Sequence, residues 1–197
     1  KYGRPPEERD IEELFAEFVP LQLACLARYA TLIPGTLEVV AYLRARGIRI
    51  GSTSGYTREM MEINLAEARR QGYVPDSMVC ASDVPAARPY PFMCFLNLIQ
   101  LQVACVQACV KVDDTVPGIE EGLNAGMWTV GVAVSGSEVG LSLAEWQALP
   151  ASDQAARRAA AYRRLLQAGA HYVIDTIADL PRCIEDIEAR LRHGEKP

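Results

Sequence analysis

The sequence predicts an α/β fold in which a parallel sheet is covered by helices. Two observations carry that expectation. From residue 48 onward, short β-branched or apolar runs alternate with stretches of helical periodicity. Several of those runs also stop at small, polar or charged residues just before a helix opens, as at Ser54-Gly55 and Asp113-Asp114. In an open α/β sheet the ligand crevice lies at those strand ends.

The elements follow in order. Residues 8–30 carry helical spacing, with Ile11, Leu14, Phe15, Phe18, Leu21, Leu23 and Leu26 apolar and Glu7, Glu8, Glu12, Glu13 and Glu17 grouped early. Pro20 is expected to kink or interrupt this helix, because it removes a donor and clashes with the preceding turn. Ile33-Pro34-Gly35-Thr36 reads as a turn ending in a helix cap, and the next helix runs to about Arg46 before Gly47. Then come strand 48–53, helix 57–71, strand 77–81, helix 91–101, strand 109–113, helix 117–125 and strand 128–133. The polar, glycine-rich stretch 135–151 is a loop with a short helical piece at 143–148. A charged helix at 152–168, a strand at 171–174 and a closing helix at 177–192 complete the series, with Thr176 and Asp179 resembling a capping box. The tail from Arg192 to Pro197 is expected to fray.

Bulk properties narrow the function. A chain of 197 residues, half of them hydrophobic and 23% charged, is long enough to bury a substantial core and ordinary for a globular domain. Its net charge of −5, with basic residues scattered and no basic stripe, argues against nucleic acid as a partner. No apolar run approaches membrane-spanning length, so no membrane role is expected. The six cysteines form no C-x-x-C pair and mostly lie in apolar runs, which suits small buried hydrophobes in a reducing, cytoplasmic compartment. His171 and His193 are the only histidines, and neither sits in a catalytic context.

Three segments carry chemistry. In Gly51-Ser52-Thr53-Ser54-Gly55-Tyr56-Thr57-Arg58, Ser54 offers a hydroxyl, Gly55 lets backbone approach closely, and the helix near Thr57 supplies free N–H groups. That is a phosphate seat, although a Ser-Gly junction of this kind also occurs with no anion bound. Tyr56 either shapes a substrate pocket or packs. In Ala86-Ala87-Arg88-Pro89-Tyr90-Pro91, Arg88 projects from a turn and can grip a phosphate with two parallel N–H bonds. From this segment alone, a solvated loop arginine is the plainer reading. In Val110-Lys111-Val112-Asp113-Asp114-Thr115, an apolar run ends in two carboxylates, hard oxygen donors suited to Mg²⁺. Acidic residues there can also serve only as partners of the helix dipole. Lys111 lies within the strand and is not assigned a catalytic role.

The order hydroxyl, arginine, paired aspartates resembles the second, third and fourth motifs of the haloacid dehalogenase (HAD) superfamily. Residues 51–61, 83–91 and 124–132 together are similar to the phosphonoacetaldehyde hydrolase (phosphonatase) family within it, where arginine replaces the more common third-motif lysine. The resemblance runs from about residue 10 to the C-terminus. It implies a HAD-like Rossmannoid three-layer core with a parallel sheet over residues 33–197, and the remnant of an α-helical cap domain over residues 1–32. It implies a hydrolase that splits the carbon–phosphorus bond of phosphonoacetaldehyde into acetaldehyde and phosphate during 2-aminoethylphosphonate degradation. Ser54 and Arg88 would be catalytic, Ser54, Gly55, Tyr56 and Arg88 would bind substrate, and Asp114 and Asp113 would hold Mg²⁺. A homodimer through the cap region is also implied.

The resemblance further implies an aspartate nucleophile on a first strand and an imine-forming lysine in the cap. Neither has a match here: the lysines are Lys1, Lys111 and Lys196, and none stands in the required context. The chain by itself is therefore expected to be inactive and poorly stable. The strands before Ser54 and Asp114 are expected to flank a gap or to close onto each other. Gly118 stands where many relatives carry a second aspartate, and Asp113 is the candidate to take over that role. Two alternatives stay open: a HAD phosphatase acting on a small phosphate ester, and a non-catalytic remnant.

Overall fold

The computed structural model describes residues 4–197; Lys1 and the first residues of the expected cap segment lie outside them. The elements are α1 (Glu8–Tyr29), α2 (Thr36–Ala45), β1 (Gly51–Ser54), α3 (Arg58–Arg70), β2 (Ser77–Cys80), α4 (Phe92–Gln100), β3 (Val110–Asp113), α5 (Val116–Ala125), β4 (Trp128–Val132), α6 (Leu143–Ala148), α7 (Ala151–Gln167), β5 (Tyr172–Ile174) and α8 (Leu180–Arg192).

Three expectations need correction. The first helix is not interrupted: α1 runs through Pro20, which sits at an exposed position. The first strand begins at Gly51 rather than residue 48. Ile48 N–H turns back to the Leu43 carbonyl, and Ile50 N–H is taken by the Asp76 carboxylate, so the ladder starts only where Gly51 meets Ser77. The closing helix opens with a 3₁₀ turn at Ile177–Asp179 before α8 begins, and Thr176 and Asp179 form the capping box there.

All strand pairs are parallel, and among the described residues they form two separate sheets, β1-β2 and β3-β4-β5. The central strand β4 is buried along its whole length, as expected of a parallel strand covered on both faces. Its alternate residues divide two packing regions. Trp128, Val130 and Val132 join Val39 of α2 and Ile184 and Ile187 of α8 on one face. Ile119 of α5 and Ala161 and Leu165 of α7 pack together beyond the other, where Leu165 lies close against Gly131. Two helical layers thus enclose the sheet, and each fully buried Ile or Leu stabilises it by about 1.5–3 kcal/mol.

Between β1 and β3 lies a groove of about 830 Å³, lined by Ile50 to Thr53 on one side and Val110 to Asp114 on the other. The two strands therefore flank a gap, the first of the two expected outcomes. Each presents an edge without a strand partner among the described residues. Part of the β1 edge is satisfied by side chains: Asn97 Nδ2 donates to the Ser52 carbonyl at 3.0 Å, and Arg88 to the Thr53 carbonyl at 3.3 Å.

Candidate functional site at the carboxyl ends of the strands

Because the strands are parallel, their carboxyl ends lie together, and the sequence-selected residues sit there. At the end of β1, Ser54 Oγ accepts the Tyr56 N–H at 3.2 Å, folding the turn back on itself. Thr57 caps α3 by accepting the Met60 N–H, as the Ser-Gly-Tyr-Thr order anticipates. Gly55 is exposed, with nothing within 4 Å of where its Cβ would stand, so the backbone there is open to a ligand. Tyr56 is half-buried in the same turn.

Arg88 reaches across the groove. Its Nη2 lies 3.2 Å from Thr53 Oγ1 on β1 and 2.9 Å from Asp113 Oδ2 on β3, and its Nε lies 3.1 Å from Glu121 Oε2 on α5. It is no solvated loop arginine, since its side chain is only 20% exposed. Nη1 has no partner among the described residues. Two of the three guanidinium nitrogens are thus already committed to protein, which the sequence did not indicate.

The two aspartates diverge, as alternating side chains at a strand end must. Asp113 is buried and turns inward to Arg88 and Lys111, while its Oδ1 accepts the Thr115 N–H at 3.1 Å and the Thr115 hydroxyl at 2.8 Å. Thr115 in turn caps α5 by accepting the Gly118 N–H at 3.1 Å. Asp114 is half-buried, and its Oδ2 is held by the backbone N–H of Ser137 at 2.7 Å and by the Ser137 hydroxyl. Its Oδ1 has no hydrogen-bond partner among the described residues, so Asp114 offers one free hard oxygen. No cluster of three or more His, Cys, Asp or Glu side chains suited to a metal occurs among the described residues.

Three residues of this site escaped the sequence reading, Thr53, Glu121 and Ser137, and Lys111, read only as a strand residue, joins them through Thr53, Glu121 and Asp113. For Glu121 a signal existed. It shares the buried face of α5 with Gly118, Gly122 and Ala125, and a carboxylate on a buried helical stripe needs a cationic partner. For Ser137 there was none, because a serine in a polar loop is indistinguishable from its neighbours. Burial pushes the Cys94 thiol up to about 12, with Lys111 opposing and Glu121 adding to the rise, so this thiol is no nucleophile.

The model of the haloacid dehalogenase-like hydrolase family matches residues 3–126. The chain is 50% identical over 196 residues to a phosphonoacetaldehyde hydrolase of Syntrophobacter fumaroxidans, covering all of this chain and 71% of that protein. It is 50% identical over 198 residues to the phosphonoacetaldehyde hydrolase of Vibrio cholerae, covering 73% of it. The crystal structure of a phosphonoacetaldehyde hydrolase-like protein from Oleispira antarctica superposes with a TM-score of 0.95 at 50% identity, over 99% of this chain and 71% of that one. A putative β-phosphoglucomutase from Thermotoga maritima, 18% identical with a TM-score of 0.58, shares the fold.

Proposed function

Since this chain belongs to the haloacid dehalogenase-like hydrolases, and within them to the phosphonoacetaldehyde hydrolase family, we propose that it carries the phosphoryl-binding part of a site that cleaves phosphonoacetaldehyde. The products are acetaldehyde and phosphate. The observation that carries this reading is the placement of Arg88 between Thr53 and Asp113, beside the open Ser54-Gly55 turn, at one end of the parallel strands. Ser54 and the Gly55 backbone receive phosphoryl oxygens, Arg88 neutralises them, and Tyr56 borders the substrate. Preorganised donors of this kind stabilise charge as it develops on phosphorus.

Asp114, with its free oxygen, supplies a hard donor for Mg²⁺ in this reading; both oxygens of Asp113 are held, by Thr115 and by Arg88 and Lys111, so Asp113 would join the ion's shell only by exchanging one of these partners. Bound there, Mg²⁺ offsets phosphoryl charge. The aspartate nucleophile and imine-forming lysine of the resembled chemistry have no counterpart among the described residues. Lys111 Nζ is held 2.7 Å from Glu121 and 3.3 Å from Asp113, and Lys196 is in the exposed tail. The 197-residue chain alone accordingly binds phosphate without turnover. Its groove leaves strand edges unpaired, so it also unfolds with low cooperativity.

Residues 1–32 belong to a helical cap and 33–197 to the core. The described part of the cap segment, α1, packs on α3, and its outer face exposes Ile11, Leu14, Phe15 and Leu21, with Leu14 and Leu21 at 70%. An apolar stripe of this size suits a homodimer contact. No helix among the described residues is long and apolar enough to cross a membrane, and all six cysteines are free, which fits a cytoplasmic enzyme.

The test is acetaldehyde release from phosphonoacetaldehyde, with and without Mg²⁺, by the native protein and by the 197-residue chain. Mg²⁺-dependent release by the native protein alone is expected. Turnover of a small phosphate ester with no acetaldehyde released from the phosphonate would establish the phosphatase alternative instead.

A further inference from the structure

Glu121 is fully buried, 0% exposed, and its Oε2 receives both Lys111 Nζ at 2.7 Å and Arg88 Nε at 3.1 Å. Its Oε1 is buried with no hydrogen-bond partner. A carboxylate placed so is a poor route to stability: well-packed apolar residues in place of a buried ion pair usually cost nothing or are more stable. What Glu121 does determine is direction. Guanidinium is planar, so fixing Nε on Glu121 and Nη2 on Thr53 and Asp113 fixes the whole plane and the heading of Nη1.

Lys111 serves the same arrangement. Its stem passes beneath α5 at Gly122, where a Cβ would lie 2.7 Å from Lys111 Cβ and 2.8 Å from its Cγ, so only glycine lets the helix come this close. The ammonium then reaches Glu121 and Asp113 and the Thr53 hydroxyl, all three of which also contact Arg88. Arg88 and Lys111 share these three acceptors, and the four charges balance.

We propose that Glu121, with Lys111 as its counter-ion, is a positioning residue that orients Arg88 toward the phosphoryl group. This rests on the reading of Arg88 given above. Glu121 touches no substrate and acts through the arginine.

The test uses the native enzyme with Glu121→Gln, Lys111→Met and the double variant, reading acetaldehyde release, inhibition by inorganic phosphate and thermal midpoint. Glu121→Gln is expected to lower kcat/KM by roughly 10²-fold, the order of loss that a small misplacement causes. It should also weaken phosphate inhibition, although removing a negative charge would by Coulomb's law alone strengthen it. Lys111→Met leaves the buried carboxylates of Glu121 and Asp113 with Arg88 as their one shared cation and lowers the midpoint. The double variant should recover the midpoint but not turnover, a split that a merely structural pair would not produce. Turnover by Glu121→Gln within a factor of about three of the native value, or recovery of both properties in the double variant, overturns the proposal while leaving the functional reading intact. A native enzyme that neither releases acetaldehyde nor is inhibited by phosphate overturns both.

Discussion

The carboxylate of Asp113 fills the space that a side chain on Gly118 would need: a Cβ built on Gly118 lies 1.9 Å from Asp113 Cγ and 2.0 Å from its Oδ1. An acidic side chain at 118 and the observed placement of Asp113 therefore exclude each other. Asp113 brings its carboxylate from the strand to a place that a helix residue could otherwise serve.

Gly118→Ala should displace Asp113 and destabilise the protein by about 1–3 kcal/mol, the usual cost of overpacking. Asp113→Gly combined with Gly118→Asp should regain Mg²⁺-dependent turnover that each single change loses. Thermal unfolding and Mg²⁺ titration of activity measure the two effects. An unchanged midpoint in Gly118→Ala would show that the two positions do not compete for space.

Arg88→Lys should lower kcat/KM by about 10- to 100-fold, the equivalent of losing one charge-assisted bond of about 1.5–3 kcal/mol. An ammonium cannot touch Glu121 through one nitrogen and Asp113 and Thr53 through another while keeping a third free. Steady-state kinetics decide this, and near-native kcat/KM would remove the planar grip from the account.

Ser137→Ala deletes the hydroxyl that holds Asp114 Oδ2 but keeps the backbone N–H. The Mg²⁺ concentration for half-maximal activity should rise by about 10-fold, since partners that orient a metal ligand contribute 10- to 100-fold to affinity. At saturating Mg²⁺, kcat should return close to native. The clamp depends on Gly136, where a Cβ would lie 2.5 Å from Asp114 Cβ and 2.4 Å from the Val132 carbonyl.

His171 sits at the opposite end of the sheet, where its Nδ1 accepts the Thr129 N–H at 3.0 Å and its ring meets Trp128 edge-on. Burial, then the nearby Arg190 charge, lowers its pKa below the usual 6.5. The neutral ring is the form favoured by folding. Its contribution is fully present above about pH 6.5 and is lost as pH falls through the lowered value. The thermal midpoint should fall on acidification across that window, and His171→Gln should flatten the slope. An unaltered slope would assign the loss to other groups.

Much of this architecture was legible from residue order. The short piece α6 falls at 143–148 as expected, α5 begins one residue from the expected 117, and Ser54 and the paired aspartates lie at strand ends, with the Arg88 side chain reaching Thr53 there from its loop. Those features are local: capping, periodicity and the small-residue turn depend on neighbours within a few positions. Strand limits were less legible, because Ile48 to Ile50 carry strand-like side chains while their backbone groups are claimed by Leu43 and Asp76.

By itself, then, the sequence determined the alternation of elements, the segments around Ser54, Arg88 and Asp113-Asp114 that meet at the groove, and the family they resemble. Tertiary structure alone decided that Arg88 is oriented by Glu121, 33 positions away, that Asp113 and Asp114 face different partners, and that the sheet divides around a groove. The physical reason is that a buried charge takes its role from whichever opposite charge the fold brings within about 3–4 Å, and that distance is set by packing between elements rather than by spacing along the chain.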